Sequence, residues 1–92
     1  MAKRKETVTK VIDGDTFRTK SRPKHSVRLA NVNAPEKGKQ GSVKATQALK
    51  NLISGQKVQV SPVAQDKYGR TVANVKVGAN SVNKAMQKKL NK

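Results

Sequence analysis

Only five acidic residues stand in a chain of 92 that carries 21 lysines and arginines, and their placement is selective. Asp13 and Asp15 flank Gly14, Glu36 follows Pro35, and Asp66 opens the stretch Asp66-Lys67-Tyr68-Gly69-Arg70. Apart from Glu6, every acid therefore sits in or beside a turn-forming segment, and none is mixed with lysines along a helix. That pattern suggests a small acidic pocket in a basic protein. Arg28 lies inside the short apolar stretch Val27-Arg28-Leu29, ahead of Asn33, Pro35 and Glu36. An arginine in such a strand needs an anionic partner, because an unpaired buried charge is costly. Two partners are open: a carboxylate such as Glu36, forming a structural ion pair, or a phosphate, with Glu36 handling a proton or a metal-held water.

The elements that must position these residues follow from periodicity and turn chemistry. Thr7 to Ile12 is β-branched and reads as a first strand. Asp13-Gly14-Asp15 is a turn in which glycine permits positive φ and the two carboxylates can lie close. Thr16 to Thr19 returns as a hairpin partner. A basic loop, Lys20 to His25, leads to a third strand over Ser26 to Val32, which Pro35 cannot extend. His25 is the single histidine and reads as an exposed loop residue. Ala45, Ala48, Leu49, Leu52 and Ile53 form one apolar helical stripe, with Ser42 as N-cap and Gly55 as a left-handed C-terminal cap. Lys57 to Val60 alternates as a fourth strand until Pro62 bends or ends it. Thr71 to Val77 is the fifth, and Ser81 caps a short last helix holding Val82, Ala85, Met86 and Leu90. Five strands with a helix between the third and fourth and a short C-terminal helix describe an α+β β-barrel, the five-stranded OB-fold.

Composition narrows the partner. The net charge is +16 and the isoelectric point near 10.8, so the chain attracts polyanions, with nucleic acid first among them. No apolar run approaches the roughly 18 residues a spanning helix needs, so no membrane partner is expected. Without cysteine there are no disulfides or thiolate metal sites. Residues 1–5 read as a basic disordered tail and 6–92 as one domain. Met1 to Lys5 runs into Glu6-Thr7 without a hydrophobic stretch, so no signal peptide is expected and the reading leans to the cytoplasm.

Three segments, Val11-Ile12-Asp13-Gly14-Asp15-Thr16, Val27-Arg28-Leu29 through Ala34-Pro35-Glu36, and Asp66-Lys67-Tyr68-Gly69-Arg70, stand in this order on this strand pattern. Together they resemble the staphylococcal nuclease (thermonuclease-like) family over about Thr7 to Leu90. The resemblance implies a calcium-dependent phosphodiesterase on an OB-fold that cuts DNA and RNA to products ending in a 3′-phosphate. It implies Asp15 as a calcium ligand, Asp13 as an outer-shell carboxylate and Glu36 beside the attacking water. Arg28 and Arg70 would lie on the phosphate, the Ala34 carbonyl on the metal, and Lys67 and Tyr68 near a terminal phosphate. Calcium prefers hard oxygen ligands, and guanidinium forks match phosphoryl oxygens in a way lysine does not.

Two departures matter. Asn33 stands where the family usually has a metal-bound aspartate; it keeps an oxygen donor and gives up a charge, so weaker calcium binding is expected. The chain also stops near its second helix, which leaves the last apolar face less covered and allows weak self-association beside a monomer. For each candidate a structural role competes. Asp13 and Asp15 could cap amides, Arg28 could pair with an acid, Arg70 could be a solvated turn arginine, and Tyr68 could pack at the barrel's end. The functional reading is a metal-dependent nuclease of low sequence specificity. The alternative is a non-catalytic basic OB-fold module that binds nucleic acid.

Overall fold

The computed structural model describes residues 5–22, 24–35 and 38–90. Strands β1 (Lys5–Asp13), β2 (Thr16–Thr19) and β3 (Val27–Leu29) precede helix α1 (Ser42–Ile53). Strands β4 (Lys57–Gln65), β5 (Thr71–Val77) and β6 (Asn80–Ser81) then lead to helix α2 (Val82–Leu90). The sheet runs β3-β2-β1-β4-β5-β6, and a further parallel pairing of β3 with β5 closes it into a ring. All the other strand pairs are antiparallel. This is the OB-like α+β barrel, with β6 added as a two-residue edge strand on β5. Among the described residues no helix is long and apolar enough to cross a membrane.

Alternation along the strands fills the ring. Val8, Phe17, Val27, Leu29, Val58, Ala73 and Val75 point inward and are buried, and α1 and α2 seal them with Leu49, Ile53, Val82 and Met86. Fully burying one such side chain is worth ~1.5–3 kcal/mol, so the core outweighs any single surface contact. Phe17 is entirely inside. Of the two phenylalanine and tyrosine rings, only that of Tyr68 is exposed.

Several boundaries differ from the sequence reading, each for a local reason. Lys5 belongs to β1, opposite Gln59, and is not part of a disordered tail. Residues 1–4 lie outside the described residues. β3 ends at Leu29 rather than near Val32, because Ala30 and Asn31 form a turn in which Asn31 takes a left-handed φ of 60°. Ser42 is not the N-cap of α1: Gly41 holds that position at φ 86°, and Ser42 is the buried first helical residue. Gly55, with φ 71°, and Ser81, whose Oγ accepts the Lys84 amide at 3.2 Å, do terminate and start their helices. Pro62 does not end β4; the strand bends at a register shift between Pro62 and Ala64 and continues to Gln65.

The end of the barrel near the start of β1 is closed by a charge. Glu6 shares the inward parity of Val8 and is 6% exposed. Its Oε1 accepts the Thr19 hydroxyl at 2.7 Å, and Arg22 Nε donates to its two oxygens at 2.9 and 3.1 Å. Removing one member of a buried pair strands the other, although Arg22 keeps some solvent. Glu6→Ala should therefore lower stability by about 2 kcal/mol, read as an earlier urea midpoint at an unchanged slope. A midpoint within error of the parent would contradict the closure role.

Candidate active site

The β1–β2 turn, the segment after β3 and the start of α1 converge on Gly14. This residue does not carry a positive φ, contrary to the turn logic of the sequence. Its requirement is space. A Cβ there would stand 2.6 Å from the Ala45 Cβ and 2.7 Å from the Ala34 Cβ, closer than carbon atoms can approach. Two alanines and a glycine thus let α1 and the segment carrying Asn33 press against the turn that carries Asp13 and Asp15. Gly14→Ala should cost ~1–3 kcal/mol by overpacking and spread these three segments. An unaltered thermal midpoint would show that they have slack.

Asp15 is the centre of what this packing assembles, and is 7% exposed. Its Oδ1 accepts the Thr16 hydroxyl at 2.9 Å and its Oδ2 accepts the Ala34 amide at 3.1 Å. Arg28 Nη2 stands 3.6 Å from that Oδ2, a Coulombic contact too long for a hydrogen bond. The same Nη2 donates to Asn33 Oδ1 at 3.2 Å, and Nη1 donates to the Leu29 carbonyl at 3.3 Å. Asp13 Oδ1 accepts the Asp15 amide at 3.2 Å. Asp13, Asp15, Arg28, Asn33 and Ala34 are thereby linked through consecutive contacts. The acid partner of Arg28 among the described residues is Asp15; Glu36, one of the two partners left open from the sequence, lies outside the described residues. What Ala34 brings to Asp15 is its amide.

Burial raises the Asp13 pKa above its ordinary value, and a hydrogen bond and the charge from Asp15 push the same way. The Asp15 amide and the Thr16 hydroxyl oppose this. A raised native pKa means that the folded state holds this proton more tightly than the unfolded one. Stability from this group therefore falls as pH rises from 3.8 through the raised value.

Arg70 reaches the neighbourhood through strand register. Thr71 pairs with Val27 and Val72 with Arg28, so Arg70 lies two residues before the partner of Arg28 and shares its side of the sheet. Val27, Leu29 and Ala73 occupy the inner side, which places both arginines on the outer one. Asp66, grouped by the sequence pattern with the other turn acids, instead builds the Arg70 turn. Its Oδ1 accepts the Tyr68 and Arg70 amides at 3.0 and 2.9 Å, and its Oδ2 accepts Arg70 Nε at 2.6 Å. Desolvation acts to raise the Asp66 pKa, but the Arg70 amide and guanidinium and the Tyr68 amide outweigh it and hold the pKa below its usual value. Tyr68 projects with its ring 5.3 Å from Lys67 Nζ and 5.4 Å from Arg70 Cζ, and is 72% exposed. Exposure at this level disfavours the packing role and leaves Tyr68 and Lys67 available to a ligand. Because Asp66 is committed to Arg70, it stands apart from the pair of acids at the β1–β2 turn. Among the described residues no three His, Cys, Asp or Glu side chains gather as a metal site.

Two residues of α2 complete the support and carried no signal in the sequence. Asn83 is buried; its Oδ1 accepts the Val75 amide at 2.7 Å, and its Nδ2 donates to the Ala30 and Ala73 carbonyls at 2.9 and 3.1 Å. Gln87 Nε2 donates to the Asn31 carbonyl at 2.8 Å. The left-handed turn that aims Asn33 at Arg28 is therefore fixed from α2.

The chain also matches a known family. The family model described as staphylococcal nuclease homologue matches residues 26–89, and the chain belongs to that family. A protein of Shigella flexneri named micrococcal nuclease is 41% identical over 66 residues, covering 71% of this chain and 38% of its own length. An uncharacterized endonuclease of Escherichia coli is 38% identical over 69 residues, 74% of this chain and 45% of its own length. One from Haemophilus influenzae is 35% identical over 83 residues, 88% of this chain and 47% of its own length. The chain thus spans less than half the length of these relatives.

Proposed function

We propose that this chain hydrolyses phosphodiester bonds in DNA or RNA with low sequence specificity, assisted by a divalent cation of the calcium type. The observation that carries the reading is the linked set Asp15, Arg28 and Asn33, with Arg70 on the same outer side one register step away. Family membership and the names of the relatives support the same reaction class.

The donor set fits a hard cation. Burial first, and then the neighbouring Asp15, disfavour the charged form of Asp13, and Asn33 adds a neutral amide oxygen nearby. Asp15 and Asn33 would hold the ion directly, with Asp13 behind them and the Ala34 carbonyl as a further oxygen. When bound, the ion would supply Lewis-acid polarisation of a phosphoryl oxygen. The protein's own groups supply the rest. Water attacks phosphorus, the bond to the 5′-oxygen breaks, and the product keeps a 3′-phosphate. Glu36 accepts the proton of the attacking water, a role taken from the family resemblance. Arg28 and Arg70 neutralise charge growing on the non-bridging oxygens. Arg28 can turn to a phosphate because its contact with Asp15 is loose, whereas Arg70 is oriented through Nε and offers its Nη edge. Lys67 and Tyr68 are the groups in reach of a terminal phosphate.

A specific observation favours the alternative, a module that binds without cutting: Asn33 provides no charge at the metal position and is already engaged by Arg28. One experiment separates the two. Single-stranded DNA mixed with the protein and calcium should be cleaved, and a chelator should abolish cleavage. Salt-sensitive binding with no cleavage across several divalent metals would instead establish the binding module.

A further inference from the structure

Beyond the reacting phosphate, strand register lines up further cations on the outer face of the barrel. Lys10 on β1 stands directly opposite Arg18 on β2. Thr16, two residues from Arg18 and on the same side of β2, stands opposite Arg28 on β3. Arg28 in turn is one diagonal step from Arg70. The inward positions between them, Val11, Phe17, Val27 and Leu29, are buried, while Lys10 and Arg18 are exposed. Directly opposed residues are ~5 Å apart and diagonal ones ~7–8 Å, so the row spans roughly 20 Å. At a rise of ~3.4 Å or more per nucleotide, that length meets several consecutive phosphates.

The surroundings suit a polyanion. Beyond Lys10 the surface dips into a groove of about 380 Å³ between β1 and α1, lined in part by Lys10, Ile12, Val43, Gln47 and Lys50, with no carboxylate among its described lining residues. Among the described acids, Glu6 points inward to Thr19 and Arg22, Asp66 holds Arg70, and Asp13 and Asp15 sit at the β1–β2 turn. Val43, 81% exposed on α1, gives that groove an apolar edge a base can cover.

We infer that Lys10 and Arg18 form a flanking-phosphate subsite, so that a single-stranded nucleic acid crosses the strands from Arg70 through Arg28 and Arg18 to Lys10 and enters the β1–α1 groove. This deepens the nuclease reading and rests on it for the position of the reacting phosphate. Total charge alone makes a different prediction, because a +16 chain also carries lysines away from this row. Lys84 and Lys88 are such a control pair: they flank a separate groove with Leu52, Asn80 and Ser81, and share no lining residue with the β1–α1 groove.

The test measures binding of labelled poly(dT) by fluorescence anisotropy in chelator, where cleavage cannot intervene, at several salt concentrations. Lys10→Gln with Arg18→Gln should weaken binding at least ~10-fold and flatten the slope of log affinity against log salt by ~1.4, about 0.7 per lost phosphate contact. Lys84→Gln with Lys88→Gln removes the same charge and should change both by far less. Equal losses from the two pairs, or none from the first, would overturn the subsite while leaving the cleavage reading intact. Binding that behaves as expected in a protein that never cuts DNA would instead remove the nuclease reading and keep the track. Lys10→Gln alone, at an exposed strand position, should show about half the slope change. It decides the matter should the double variant unfold.

Discussion

Replacing Arg28 with lysine should lower the rate of phosphodiester cleavage at least ~10²-fold while the barrel stays folded. A lysine keeps the charge and loses the planar fork, so the comparison isolates geometry. Arg28 makes three separate contacts, to Asp15, Asn33 and the Leu29 carbonyl. A single ammonium cannot hold these and still present two parallel donors to a phosphate. The stability cost should be small, under ~1 kcal/mol, because the ion pair with Asp15 is loose and its arginine is partly in water. The check is a kcat measurement at saturating metal alongside a thermal melt. A lysine variant that cuts at nearly the parent rate would mean that Arg28 only balances Asp15.

Asn83→Ala should lower stability by about 2–4 kcal/mol, more than the loss of Glu6 from the barrel's charged end. The change strands the Val75 amide and the Ala30 carbonyl in the interior, while the Ala73 carbonyl keeps the Ala30 amide at 2.9 Å. Each buried orphan costs ~1–3 kcal/mol. For a domain of this size the thermal midpoint should fall by roughly 10–20 °C. Asn83→Asp should not rescue it: it keeps the acceptor for Val75 but turns an anion toward two carbonyls. A drop of only a degree or two in the alanine variant would mean that water replaces these bonds and that α2 does not fix the Ala30-Asn31 turn.

The elements with strong period or turn chemistry could be read directly from the residues. β2 and β5 run over the expected positions, and the α1 stripe buries Ala45, Leu49 and Ile53 as its spacing demands. Asp15, just before β2, Arg28, within β3, and Asn33, in the segment after β3, lie close because the β2–β3 pairing brings their stretches together. What stayed hidden depends on partners distant in the chain. Asn83 reads as the polar face of an amphipathic helix until β5 and Ala30 are placed against it. Gly14 reads as a flexible turn residue until Ala34 and Ala45 are found within contact. Asp66 reads as turn chemistry, and its hold on Arg70 Nε depends on where the chain returns four residues later. Glu6 had no turn beside it and was set apart, although its inward parity with Val8 marks a buried carboxylate.

The catalytic role of the constellation depends on a cation lodging beside Asn33, within reach of the phosphate that Arg28 grips. Calcium titration of the parent and of Asn33→Asp, read by both calorimetry and cleavage rate, addresses this most directly. Adding one carboxylate to a site tuned by ligand charge should tighten calcium by ~10-fold or more and raise the rate at sub-saturating metal. Identical calcium affinity and identical rate in the two proteins would place any metal elsewhere and reduce the constellation to a structural ion pair.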